Sequence, residues 1–193
     1  MAETKIDPRI IRTHRLIMDS FIQLSMRKDF KDITIKDITT EATVNRATFY
    51  YHFTDKYDLL EKTLKENLMK NVIHEIAEHV EINETTIINI FLSVTKFQNN
   101  LSSQCQRSFN SFQGTIEEVI KNELQRIFYE ILLKQQATTK TDDFETLRIG
   151  SAMLAWGLYG ATVDWQYNST NPPEDYIRRA IPYIFNGMGS LKR

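Results

Sequence analysis

Within seven residues, Arg46 to His52, the chain sets out a guanidinium, a threonine hydroxyl, two phenols and an imidazole, with Asn45 just before and Lys56 shortly after. Phenol, hydroxyl, imidazole and ammonium groups donate hydrogen bonds to phosphate oxygens, while a guanidinium can grip a phosphate or the paired acceptors of a guanine edge. This is a chemistry of holding rather than of bond-making. Neither a phosphate-cradling glycine loop nor a Ser-His-Asp set is visible, so the chain reads as a non-enzyme that needs no cofactor or metal. The candidate nucleic-acid contacts are Thr34, Lys36, Asn45, Arg46, Ala47, Thr48, Tyr50, Tyr51, His52 and Lys56.

Such groups work only if a rigid element presents them together. At 100° per residue, Phe49 and Phe53 fall on one side of a short helix, with Val44 in the preceding turn pointing the same way. Arg46, Ala47, Tyr50 and Tyr51 then project toward the opposite side. A helix entering a major groove needs this split of apolar back and polar front, with a small residue where approach is closest. Arg46 suits a guanine edge or a phosphate, and Ala47 suits close approach or a thymine methyl. Thr48, Tyr50, Tyr51 and His52 suit phosphates. Periodicity alone leaves open that residues 34–56 form a helical hairpin or a protein-binding surface.

Cap signals place the surrounding elements. Asp7-Pro8 opens a first helix carrying Ile10, Ile17, Phe21 and Leu24. Thr34 and Asp37 form a capping-box pattern for a second, with Ile35 and Ile38 facing in. Asn45 can cap the third, and Thr54, with Asp55 in the first turn, can cap a fourth that runs through Leu59, Leu60, Leu64, Leu68, Val72 and Ile76. Helical patterning continues near 84–100, 102–112, 115–136, 143–168 and 173–189, broken at Asn83, Asn99-Asn100, Gly114, Ala137 to Asp142 and Asn168 to Pro173. The expected fold is all-α with about nine helices. Its boundaries are a helix-turn-helix DNA-binding domain at 1–54 and a helical ligand-sensing and dimerisation domain at 55–193.

Bulk charge does not advertise a polyanion partner: the net is −1 over 193 residues, and residues 1–60 carry ten Lys and Arg against nine Asp and Glu. With 41% hydrophobic and 25% charged residues the composition is that of an ordinary globular protein. One cysteine, Cys105, excludes an internal disulfide, and with no signal-like start the expected location is cytoplasmic. The apolar run Ala152 to Val163 is too short to span a bilayer. His74 and His79 resemble a zinc-protease pair only loosely, since five residues rotate them about 140° apart on a helix. The pairs His74/Glu78 and Glu75/His79 read better as surface neighbours one turn apart.

The segment Phe30 to Leu59 resembles the DNA-binding domain of the TetR family of bacterial regulators. Phe30, Thr34, Asp37-Ile38, Ala42, Val44, the run Thr48-Phe49-Tyr50-Tyr51-His52-Phe53 and Lys56 carry the likeness. Two positions depart from it: Thr43 stands where glycine is usual in the turn, and Asn45 where serine usually caps the recognition helix. The resemblance implies a homodimer of all-helical subunits, each with an N-terminal three-helix reader and a C-terminal domain for pairing and sensing. It further implies that the tyrosines, histidine and lysine of the motif hold phosphates.

For the C-terminal two-thirds, Gly150, Leu154, Gly157 and Ala161 on one helix, and Ile177, Ile181, Ile184 and Met188 on the next, suit either intramolecular core or close helix approach. The resemblance implies that these two helices pair subunits in a four-helix bundle. Phe91, Phe97, Phe109, Phe112, Phe128, Tyr129, Trp156 and Tyr159 are core by spacing, and some of them, Phe91, Phe97, Phe109, Phe112, Phe128 and Trp156 above all, are candidates for a ligand cavity by resemblance. The expected function is a homodimeric repressor that holds near-palindromic double-stranded DNA and is released by an unknown small-molecule inducer, away from any membrane. The alternative is a helical protein-interaction module, or a regulator controlled by a partner protein.

Overall fold

The computed structural model describes residues 7–70, 73–74, 79, 81–136 and 143–187. Helix α1 (Pro8–Arg27) starts where the Asp7 carboxylate accepts from the Arg9 amide at 2.9 Å, and it buries Ile17, Phe21 and Leu24. A 3-10 turn, Phe30–Asp32, leads to α2 (Ile35–Glu41). The capping box closes as the spacing predicts: the Asp37 amide donates to Thr34 Oγ1 at 3.1 Å, and the Thr34 amide to Asp37 Oδ2 at 2.9 Å. Asn45 caps α3 (Arg46–His52), accepting from the Thr48 amide at 2.8 Å. Asp55 caps α4 (Lys56–Thr63), accepting from the Tyr57 and Asp58 amides, whereas the Thr54 amide donates to Asp58.

Helix α4 passes into a π-helical turn, Leu64–Leu68. Its expected continuation through Val72 and Ile76 lies outside the described residues, as do Glu75, Glu78, the stretch from Ala137 to Asp142, and Met188. Then follow α5 (Glu84–Gln104), α6 (Phe109–Gln136), α7 (Phe144–Asn168) and α8 (Pro173–Asn186). Pro182 lies inside α8. Among the described residues are these eight α-helices, further helical residues at 70 and 73–74, and no strand.

Two expected breaks are absent. Asn99 and Asn100 lie inside α5, and Gly114 inside α6. A glycine within a helix costs only about 1 kcal/mol relative to alanine, and the buried side chains of Phe112, Ile116, Val119 and Ile120 around Gly114 outweigh it. The turn falls at Cys105–Ser108 instead, where the Ser108 amide donates to the Cys105 carbonyl at 3.0 Å.

The chain divides into two compact units, Met1–Leu68 with Asn100–Ile116, and Met69–Asn99 with Glu117–Arg193. This differs from the expected boundary at 54/55. Phe112 explains why a distant segment joins the first unit: its ring lies 6.0 Å from Phe21 and 5.2 Å from Phe30. Around it, Arg107 Nη1 donates to the Arg27 carbonyl, Ser108 Oγ to the Lys28 carbonyl and Ser111 Oγ to Asp29 Oδ1, each at 2.7 Å. The first two satisfy carbonyls at the end of α1 that have no partner within the helix. In the second unit Phe91, Phe128, Ile177 and Ile181 are buried, and Phe91 stacks on Tyr176, whose hydroxyl donates to Asp164 at 2.6 Å.

Candidate nucleic-acid interface

Helix α3 is anchored by its phenylalanines. Phe49 is 0% and Phe53 1% exposed, with ring centroids 5.8 Å apart. On the other side Tyr51 is 69% and Tyr50 46% exposed, with Arg46 and Ala47 open to solvent between the turn and the tyrosines. The inward and outward faces follow the helical spacing.

The α2–α3 turn aims this helix. The Thr43 amide donates to Thr40 O at 3.2 Å and the Val44 amide to Thr39 O at 3.0 Å. That pair of bonds is the Schellman closure of a helix end, in which the residue at the position of Thr43 turns left-handed. Thr43 does so, at φ 53°. The departure from glycine therefore leaves the turn geometry intact and loads a β-branched residue into a region costing about 1–2 kcal/mol.

Several expected contacts are committed inside the domain. Thr34 is tied up by the capping box, and its hydroxyl donates to Asp37 at 2.8 Å. The bond from the Thr34 amide, followed by those from the Thr34 hydroxyl and Lys28, holds the Asp37 carboxyl down at about 2. Lys36 is exposed on α2. Asn45 Oδ1 also accepts from the Thr48 hydroxyl at 3.0 Å, so both side chains serve the cap. His52 is half-buried, its ring 5.6 Å from that of His14. Burial lowers its pKa, and the charges of His14 and Lys62 push the same way. His14 in turn stacks on Phe53 and bonds Glu66 at 3.2 Å.

Lys56 needs correction. Its ammonium donates to the carbonyls of Phe30 at 2.9 Å, Ile33 at 3.0 Å and Lys31 at 3.3 Å, and sits 4.6 Å from the Phe30 ring centroid. An ammonium has three protons, and all three are taken by the end of the 3-10 turn. In this structure Lys56 is a cross-brace between α4 and that turn rather than a free phosphate ligand.

With this geometry in view, residues 17–63 match the model of the bacterial regulatory proteins of the tetR family. The helix-turn-helix of the N-terminal domain is thus similar to that of the TetR family. A curated relative is the uncharacterized HTH-type transcriptional regulator YxbF of Bacillus subtilis (strain 168), 35% identical over 81 residues. That match takes in 42% of this chain and 20% of the relative, so the likeness spans only about a fifth of that protein's length. Among solved structures, the fatty acid degradation regulator FadR from Bacillus halodurans superposes with a TM-score of 0.55 at 15% identity, covering 96% of this chain and 98% of that one. A TetR transcriptional regulator from Streptococcus agalactiae 2603V gives 0.54 at 18%, covering 92% and 96%. FadR from Bacillus subtilis, solved in complex with stearoyl-CoA, gives 0.54 at 16%, covering 91% and 99%. At these identities the three structures speak to the fold alone, that of an all-helical chain.

Beyond the N-terminal domain, the residues expected to line a cavity or to pair subunits differ in burial. Of the aromatics assigned to a ligand cavity, Phe112 belongs to the reader's core and Trp156 is 61% exposed, with Lys121 Nζ 3.9 Å above its ring. Phe91, Phe97 and Phe128 are buried packing, and Phe109 is half-buried at the start of α6. An open groove of about 510 Å³ instead lies along Asn122, Gln125, Arg126, Tyr129, Phe144 and Arg148. Of the expected aromatics, Tyr129 borders it.

On α7 the most open bulky residues, Ile149, Met153 and Trp156, lie one position from the expected stripe, or about 100° of helix. A Cβ on Gly150 would face Leu132 of α6 at 3.8 Å, and Ile177 and Ile181 are core, so these three belong to the subunit's own packing. Leu154, Ala161 and Ile184 are half-buried, and Gly157 is exposed. The apolar surface left open on α7 is Phe144, Ile149, Met153, Trp156 and Tyr167, 46 to 72% exposed, and on α8 Tyr183 and Phe185. The exposed side of a helix was not readable from small-residue spacing; its signal was the bulky apolar residues one step off that register.

No group of metal-ligating side chains occurs among the described residues, nor is any helix there long and apolar enough to cross a membrane.

Proposed function

We propose that this chain is a ligand-responsive transcriptional regulator that binds double-stranded DNA as a homodimer and represses from a near-palindromic operator. The observation that carries the reading is the exposed front of α3, with Arg46, Ala47, Tyr50 and Tyr51 presented by a helix whose back is wholly buried. Two copies held with their α3 helices about 34–36 Å apart would enter successive major grooves. The open apolar residues of α7 and α8 support pairing, since exposed bulky side chains at one-turn spacing are the usual mark of a covered surface.

A small molecule acting on the second unit would have to bind one reader spacing better than another; equal affinity for both would change nothing. The FadR of Bacillus subtilis binds stearoyl-CoA according to its structure's description, and the groove bordered by Arg126, Tyr129, Phe144 and Arg148 is of ligand size.

The test is a gel shift with the DNA flanking the gene, across a series of salt concentrations, for wild type, Arg46→Ala and Tyr51→Ala. A salt-sensitive shift that both variants weaken is expected. No shift at any salt, or variants equal to wild type, would favour the protein-interaction reading.

A further inference from the structure

Tyr50 and Tyr51 look equivalent in sequence, yet the structure gives them different surroundings. Tyr51 is 69% exposed, and its ring meets the edge of His52 at 5.1 Å. Tyr50 is engaged with Arg46, one turn back on the same helix face: Arg46 Nη2 donates to the Tyr50 hydroxyl at 3.2 Å, and the guanidinium carbon lies 5.6 Å from the ring centroid. The Tyr50 ring is itself braced edge-on against Phe49, at 5.5 Å and 88°, and Phe49 is fully buried. A line of contacts therefore runs from the domain core through Phe49 and Tyr50 to an exposed guanidinium.

We propose that Arg46 is the residue that reads sequence in this chain, that it reads guanine, and that Tyr50 is a positioning residue that aims it. The inference rests on the DNA-binding reading above. Arg46 is the first residue of α3, and the N-terminal residues of a recognition helix are those that reach base edges. It makes no ion pair with a carboxylate among the described residues. One Nη2 proton goes to Tyr50, which leaves the second Nη2 proton to form a planar fork with Nε or with Nη1. Guanine alone offers two acceptors, O6 and N7, on its major-groove edge at the spacing of such a fork. Ala47 beside Arg46 is exposed and small, so it leaves room for a base pair to approach. Tyr50 then has its hydroxyl oxygen occupied as an acceptor and its ring as a platform, a different task from the phosphate contact that its sequence position suggests.

The experiment is affinity selection from random duplex DNA with the full-length protein, sequencing the recovered sites for wild type, Arg46→Ala, Arg46→Lys, Tyr50→Phe, Tyr50→Ala and Tyr51→Phe. Wild type should enrich guanine at one position of each half-site, by roughly 5- to 150-fold over the other bases, the range of one bidentate contact. Arg46→Ala should flatten that position, and Arg46→Lys should flatten it too, because a lysine keeps the charge and loses the fork. Tyr50→Ala should lower the preference at that same position while leaving the slope of log affinity against log salt unchanged, with Tyr50→Phe intermediate. Tyr51→Phe should leave the preference intact.

If Tyr50→Ala weakens all sequences alike and reduces the salt slope by about one, Tyr50 is a phosphate ligand and the positioning role is wrong. Retention of the guanine preference in Arg46→Lys would overturn the readout by a fork. Recovery of no salt-sensitive site by wild type would bring down the DNA-binding reading itself, an outcome distinct from the other two.

Discussion

Replacing Thr43 by glycine should make this protein more stable, although it removes a side chain and adds backbone freedom. Thr43 sits at φ 53° in the closure between α2 and α3, and its amide and that of Val44 are both spent on that closure. The left-handed region costs an L-residue about 1–2 kcal/mol, and a β-branched one belongs at the upper end. Glycine removes this cost but gives the unfolded chain about 0.4–1 kcal/mol of extra entropy to lose. The balance is a gain of roughly 1 kcal/mol, worth about 2–4 °C in melting temperature for a chain of this size. The side chain is exposed and makes no hydrogen bond among the described residues, so nothing else is lost. Urea titration of wild type, Thr43→Gly and Thr43→Ala would measure it. The glycine variant should unfold at a higher midpoint with the same slope, and alanine, which keeps its Cβ, should stay near wild type. A lower midpoint for glycine, or an equal gain for alanine, would refute strain at this residue as the reason.

Three further outcomes follow from the same contacts. Lys56→Met removes a brace made of three hydrogen bonds to carbonyls and should destabilise the first unit by about 1–3 kcal/mol, leaving the salt slope of DNA binding unchanged; a slope smaller by about one would return Lys56 to the phosphate ligands. Asp37 has a carboxyl lowered from 3.8 to about 2 on folding, so its contribution is fully present above about pH 4 and fades as pH falls toward 2. Asp37→Asn should flatten that acid limb of a stability-against-pH curve, and an unaltered limb would assign acid sensitivity to other groups. Met153→Arg sets a charge within the open face of α7 and should weaken self-association by roughly tenfold or more in sedimentation, whereas an unchanged dimer would locate the pairing surface elsewhere.

What the amino-acid order fixes by itself here is local. Asp7, Thr34 and Asn45 each cap a helix through bonds spanning two or three residues, so three helix starts could be read directly, while the fourth is capped by Asp55, one residue after the expected Thr54. The facing of α3 followed for the same reason, since the separation of Phe49 and Phe53 from Tyr50 and Tyr51 is a property of one helix.

Contacts between distant segments were not legible. Nothing near Phe112 in the chain says that it fills a space between Phe21 and Phe30, or that Ser108 and Arg107 finish the end of α1 some eighty residues earlier. Lys56 looked like a free cation because the three carbonyls that absorb it belong to a turn more than twenty residues back. Gly150 and Ile177 matched a small or apolar register, but which neighbour each register faces depends on how α6, α7 and α8 assemble. Helical period and caps are decided by bonds within a turn or two of the backbone. Which face is covered, and which charge is spent, is decided by whatever residue the rest of the chain brings there.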